Sequence, residues 1–238
     1  MNVKLVSVTP NPEAIIAYVA RVSNPQNQDN PDYAKLIRYL VKNKHWSPFE
    51  HSFMTVEITT SMSIGEQLLR HRSFTFQKFS GRYSEFDDFE SIELRKQATK
   101  NRQSSLEVFD PLISLDEEDT VRGSKIVDHF LSLAKKTYRL LLDHGVAREV
   151  ARLVLPAATQ TTMYMTGSAR SWIHYLDLRT DEHTQKEHRL IALEIEKIFA
   201  EQYPMTYTAI QELREEDRIK NVLFHAYLKN IIQLPEDS

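Results

Sequence analysis

The residues of this chain best suited to chemistry lie in one run: Arg70-His71-Arg72, seven further residues, then Ser80-Gly81-Arg82-Tyr83. An arginine presents a planar fork that meets phosphate or carboxylate through two parallel hydrogen bonds. A serine hydroxyl adds a donor, and a glycine lets the backbone approach an anion closely. Together these groups suit a nucleotide monophosphate. His71 stands between two positive charges that disfavour its protonated form, so it reads as a neutral donor–acceptor rather than a general acid. Arg152, Arg170 and Arg179 lie near the ends of other elements and extend the set of candidate anion ligands.

The rest of the composition limits what those groups can do. Net charge is −3, which argues against a protein that coats nucleic acid, so any anion site is local. There is no cysteine, which excludes disulfides, Cys-ligated zinc and thiolate nucleophiles. The chemistry must use another nucleophile or a borrowed cofactor. His183 and His188 lie five apart and share no helical face, and no His-Glu-x-x-His is present, so no metal site is expected. His45-Trp46-Ser47-Pro48-Phe49-Glu50-His51 reads as a packed turn rather than a metal cluster. No Gly-x-Gly-x-x-Gly or Walker-type loop occurs. No apolar run reaches the roughly 20 residues of a membrane span, and the first residues carry no long apolar stretch, so a cytoplasmic location is expected.

These groups need elements to hold them. Val3–Val8 reads as a short strand, and Pro12 opens a helix to about Arg21. Leu36, Ile37, Leu40 and Val41 have helical spacing. Met54, Val56 and Ile58 alternate with polar residues, the pattern of a strand with two unlike faces. A helix over Ser63–Leu69 leads into the arginine run. From Phe74 to Tyr83 the chain reads as extended, which would put Lys78, Ser80 and Arg82 along one side at period two. A helix over about Val121–Leu142 is expected to bury Ile126, Phe130, Leu133, Tyr138 and Leu141 and to stop at Gly145. Ala147–Leu153 reads as a short helix stopped by Pro156, Thr159–Met165 as a strand, and Ser168–Leu178 and Thr184–Tyr203 as helices. With five glycines and no linker, residues 1–238 read as one domain, with an irregular excursion over 85–121 and a helical tail over 213–238.

Several of these motifs occur together and in order in one known family. Ala20-Arg21-Val22-Ser23, His45–His51, Gln67 three residues before Arg70-His71-Arg72, Ser80-Gly81-Arg82, Arg152-Leu-Val-Leu-Pro156, and Ser168-Ala-Arg170 with His174 and Arg179 resemble the flavin-dependent thymidylate synthases. The resemblance implies an α/β fold of the α+β type, a central sheet flanked by helices. It implies methylation of dUMP to dTMP, with 5,10-methylenetetrahydrofolate as carbon donor, reduced FAD as hydride source and NADPH as reductant. By position it assigns FAD contacts to Ser23, His45, Ser47, Arg70, His71, Arg72, Ser73, Ser168, Arg170 and His174. It assigns dUMP contacts to Gln67, Ser80, Gly81, Arg82, Arg152 and Arg179, with Arg179 also stabilising charge on the pyrimidine. Lys78 stands where many relatives carry Glu, and is added to the dUMP set. Asn101-Arg102-Gln103 resembles a family segment near the site. The resemblance further implies a homotetramer with shared active sites. Two other readings stay open: an RNA-binding module stacking bases on Phe74, Phe76 and Phe79, and a structural oligomer bridged by the arginines.

Overall fold

The computed structural model describes residues 1–86, 88–102, 104–115 and 119–232. Gln103 and residues 233–238 lie outside the described residues, as do parts of 85–121. The chain forms two compact units. The first comprises Met1–Ser7, Thr55–Gly167 and Ile173–Ile195; the second comprises Val8–Met54, Ser168–Trp172 and Glu196–Ser238.

The elements in chain order are β1 (Asn2–Val8), α1 (Pro12–Ala20), α2 (Ala34–Lys42), β2 (Phe53–Ser61), α3 (Met62–Leu68), β3 (Thr75–Lys78), β4 (Arg95–Gln97), β5 (Ser105–Val108), β6 (Leu112–Ser114) and β7 (Thr120–Arg122). There follow α4 (Gly123–Asp143), α5 (Arg148–Ala151), β8 (Gln160–Ser168), α6 (Ala169–Arg179), α7 (Lys186–Gln202) and α8 (Pro204–Ile232). The fold is the mixed helix-and-sheet class expected.

The first unit is built on a sheet of order β1-β2-β8-β3, with β3 antiparallel to β8 in the register Thr75↔Thr166 to Lys78↔Met163. Period-two alternation sorts the sheet's faces. Val56, Ile58, Met163 and Met165 are buried on one face. The other carries hydroxyl pairs, Thr55 with Thr166 at 2.9 Å and Thr59 with Thr162 at 3.1 Å. Ser61 caps α3 by accepting a hydrogen bond from the Ile64 amide at 3.3 Å. Ile64 and Leu68 bury that helix, so its exit is fixed where the arginine run begins.

Two expectations are corrected in this unit. The extended run does not continue to Arg82, because β3 ends at Lys78. The Ser80 carbonyl then accepts from the amides of both Tyr83 and Ser84 at 3.0 Å, a tight turn that destroys the line Lys78-Ser80-Arg82. In α4, Tyr138 and Ala134 are buried, whereas Ile126, Phe130 and Leu133 are 37%, 53% and 54% exposed. The helix is covered near Phe86 and Ala151, where Leu141 also packs, and at its start, where Gly123 is buried beside Leu94 and Pro111. Residues 85–121 hold two short antiparallel ribbons, β4-β5 and β6-β7. Strands of three or four residues are too short to show an alternation.

The second unit buries Ile16, Ile37, Val41, Phe49, Met54, Trp172, Phe199 and Tyr203. Trp172 Nε1 donates to the Met54 carbonyl at 3.0 Å, and Tyr203 stacks on Phe199 at 4.7 Å. Glu13 accepts the Thr206 amide at 2.6 Å near the start of α8. α8 lies against α2, joined by Arg38–Glu212 at 2.8 Å and Lys42–Glu216 at 3.3 Å. The charged run 213–220 does not interrupt α8, so the tail is one helix with what precedes it.

Candidate active site

In the first unit, α3 ends in consecutive turns. The Arg70 amide donates to the Gln67 carbonyl at 3.2 Å, that of His71 to Leu68 at 3.0 Å, and that of Phe74 to His71 at 3.2 Å. Buried Leu68 and Phe74 anchor the run at either side. Arg70, Arg72 and Ser73 are left exposed, while His71 turns inward.

His71 is the centre of the site. Its Nε2 accepts from Arg179 Nε at 3.0 Å, joining residues 108 apart in sequence. Its ring meets Tyr175 edge-on at 4.9 Å and lies 6.0 Å from the His188 ring. Burial, then the charge of Arg179, then that of His174 push the His71 pKa down to about 4. His71 is therefore neutral near pH 7, as expected, but the positive charge acting on it comes from Arg179 and His174 rather than its neighbours. A neutral ring nitrogen can accept from a guanidinium; an imidazolium would repel it.

Gln67 lies beside this pair. Its Nε2 donates to Gln185 Oε1 at 2.7 Å, and its Oε1 is 3.2 Å from His188 Nδ1. His188 is fully buried, and its Nε2 lies 3.2 Å from the Tyr175 hydroxyl. Burial first, then Arg179 and His71, hold the His188 pKa near 3. Sequence reasoning set His188 aside because it makes no metal motif with His183. The available signal was a polar side chain on an apolar helical stripe, three residues before Ile191 and seven before Ile195.

Arg82 and Arg152 are brought together by a residue not singled out from sequence, Glu149. Arg82 Nη2 lies 3.3 Å from the Glu149 carboxylate, and Arg152 Nε donates to its carbonyl at 3.3 Å. Lys78 is half-buried and, among the described residues, forms no salt bridge. Gly81 is buried because Phe86 fills the space where a side chain would begin: a Cβ there would sit 2.1 Å from Phe86 Cε2. Phe86 packs against Tyr138 and Ala151 and cannot retreat cheaply. Gly81→Ala is expected to lower the unfolding free energy by about 1–3 kcal/mol, read from the urea midpoint at unchanged slope.

The remaining predicted residues lie in the second unit. Ser168 is buried, and its hydroxyl donates to Glu50 Oε2 at 2.7 Å while Arg170 Nη1 donates to Glu50 Oε1 at 2.9 Å. Glu50 is thus a shared acceptor for two predicted residues. Ser47 opens the 3-10 turn Ser47–His51, and His45 stands edge-on to Tyr39 at 5.7 Å. Ser23 lines a cavity of about 430 Å³ with Asn24, Asn27 and Lys35. Arg21 closes one wall by donating to the Asn30 and Asp32 carbonyls.

Of the rings proposed to stack bases, Phe74 is buried and Phe79 packs on Phe86 at 5.1 Å. Phe74 is thus a core ring, whereas Phe76 is half-buried and Phe79 remains 37% exposed.

Comparison with known proteins gives the chain a family. The family model described as "Thymidylate synthase complementing protein" matches residues 4–205. The chain belongs to that family. It is 44% identical over 221 residues to the flavin-dependent thymidylate synthase of Synechocystis sp., covering 89% of this chain and 100% of that one. It is 42% identical over 219 residues to the probable flavin-dependent thymidylate synthase of Paramecium bursaria Chlorella virus 1, covering 88% and 99%. Among solved structures it is similar to the UMP/dUMP methylase PolB from Streptomyces cacaoi bound with 5-Br dUMP. There the TM-score is 0.73 and the identity 30%, over 89% of this chain and 94% of that one. The family match ends within the first turn of α8, so nearly all of that helix lies outside it. No helix among the described residues is long and apolar enough to cross a membrane.

Proposed function

We propose that this family member is a flavin-dependent thymidylate synthase that converts dUMP to dTMP, with 5,10-methylenetetrahydrofolate as carbon donor and NADPH-reduced FAD as hydride source. The observation that carries the reading is the Arg179–His71 hydrogen bond. It joins two of the motifs that carry the resemblance, Arg70-His71-Arg72 and the one that ends at Arg179, with Gln67 nearby.

The residues present fit a flavin dinucleotide and a nucleotide. Arg70 and Arg72 are exposed and, among the described residues, form no salt bridge, so both guanidinium groups are available to phosphate. In the first unit Arg70, His71, Arg72, Ser73 and His174 are assigned to FAD; in the second unit Ser23, His45, Ser47, Ser168 and Arg170 are assigned likewise. Gln67, Lys78, Ser80, Gly81, Arg82, Arg152 and Arg179 are assigned to dUMP. When bound, the flavin supplies the hydride that the protein's side chains cannot. Arg179 holds its guanidinium where negative charge grows on the pyrimidine. His71, kept neutral, accepts from Nε and fixes the guanidinium plane. The chain has no thiolate to add to the ring. A homotetramer and a cytoplasmic location complete the proposal; the exposed apolar stripe Ile126-Phe130-Leu133 of α4 supports assembly.

The purified protein should be yellow with flavin absorbance. It should release the C5 hydrogen of dUMP and form dTMP only when NADPH and methylenetetrahydrofolate are both supplied. A colourless protein that binds no added FAD and leaves the C5 hydrogen in place would refute the assignment.

A further inference from the structure

Gln67 is held inside a chain of hydrogen bonds whose direction can be worked out from one end. Arg95 Nη1 lies 2.6 Å from Glu187 Oε1, and Gln185 Nε2 donates to Glu187 Oε2 at 2.9 Å. Burial works to raise the pKa of Glu187, but hydrogen bonds from Arg95, its own amide and Gln185 outweigh it, and the net pKa is lowered. An ionised carboxylate only accepts. Gln185 must therefore turn its Nε2 to Glu187 and its Oε1 to Gln67. Gln67 must then give Nε2 to Gln185 and turn Oε1 to His188. A carbonyl oxygen only accepts, so His188 carries its proton on Nδ1. Its bare Nε2 takes the hydroxyl hydrogen of Tyr175.

We propose that Glu187, Gln185, His188 and Tyr175 are positioning residues that lock the Gln67 amide in one orientation, reserving its second Nε2–H for an acceptor oxygen of the bound nucleotide. The inference rests on the reading that Gln67 holds dUMP. Among the described residues nothing else takes that hydrogen. With the amide reversed, a carbonyl lone pair would face the nucleotide oxygen and repel it. Burial leaves His188 neutral down to about pH 3 and pushes the Tyr175 phenol well above its usual range, so neither end of the relay changes protonation near neutrality.

The test uses the flavin-loaded protein and two readouts. The first is the tautomer of His188 from two-bond nitrogen–proton NMR, with the signal assigned by its loss in His188→Gln. The second is calorimetric affinity for dUMP and for deoxyuridine in the wild type, Glu187→Gln and Tyr175→Phe. Glu187→Gln removes the acceptor-only end; Tyr175→Phe keeps the ring and removes only the hydroxyl. The wild type should show the Nδ1–H form. Glu187→Gln should mix in the Nε2–H form and weaken dUMP about three- to tenfold, and Tyr175→Phe should weaken it about threefold, with flavin content unchanged. A parallel loss for deoxyuridine places the acceptor on the nucleoside; a loss for dUMP alone places it on the phosphate. An Nε2–H tautomer in the wild type, or unchanged dUMP affinity in both variants, overturns the inference. A wild type that binds no dUMP overturns the functional reading beneath it as well, and so is told apart.

Discussion

Arg179→Ala is expected to slow dTMP formation by about a hundred- to thousandfold while the protein stays yellow. The magnitude is that of losing one donor aimed at charge that develops in the transition state. Arg179 is only half-buried and its Nε hydrogen goes to His71, which leaves the Nη hydrogens to meet the substrate in the proposed reading. Arg179→Lys should not rescue the rate, because an ammonium cannot both bond His71 and present a planar fork to the ring. The measurement is dTMP formation under saturating cosubstrates, beside the flavin absorbance per chain. Turnover near the wild-type rate in Arg179→Ala would remove the assigned role.

The second large effect concerns stability at acid pH. His71 and His188 both have folded pKa values pushed below the ordinary 6.5, to about 4 and about 3. Above pH 6.5 the folded and unfolded chains are both neutral at these rings, and the stabilisation is fully present. As pH falls below 6.5 the unfolded chain takes up protons that the folded chain refuses, so stability drops through the window from 6.5 towards 3. Each pH unit within that window is worth about 1.4 kcal/mol per ring, so His188 alone accounts for a loss on the order of 3 kcal/mol by pH 4. His71, partly exposed, adds less. Urea unfolding of the wild type and His188→Gln at pH 7, 6, 5 and 4 isolates the term, since carboxylate contributions are common to both. The variant should lose stability less steeply; parallel slopes would show that burial of His188 carries no such penalty.

What could be read from sequence divides along physical lines. The arginine run, the strand ending at Ser61 and the helices α2 and α7 carry strong local signals, and each was found within a few residues of its place. The Arg179–His71 pair was not visible, because 108 residues of chain separate its members and no periodicity links them. Ser80–Arg82 looked extended because nothing local announced that the Ser80 carbonyl would take two amides. The apolar face of α4 was expected to be buried, since periodicity reports that a face is apolar and not what covers it. Glu50 and Glu149 were missed as partners for a similar reason. A carboxylate in a charged sequence is unremarkable until folding shows which cations reach it.

The pairing of α2 with α8 has a consequence of its own. Arg38 meets Glu212 and Lys42 meets Glu216, so both helices advance four residues between rungs in the same sense. The two therefore point the same way, and their peptide dipoles lie side by side instead of cancelling, a mildly repulsive arrangement. Two cations facing two anions across that seam counter the repulsion and also index the helices, since sliding either by two residues would carry each cation away from its anion. Because these ion pairs are exposed, their part of the seam tightens in dilute buffer and slackens in brine.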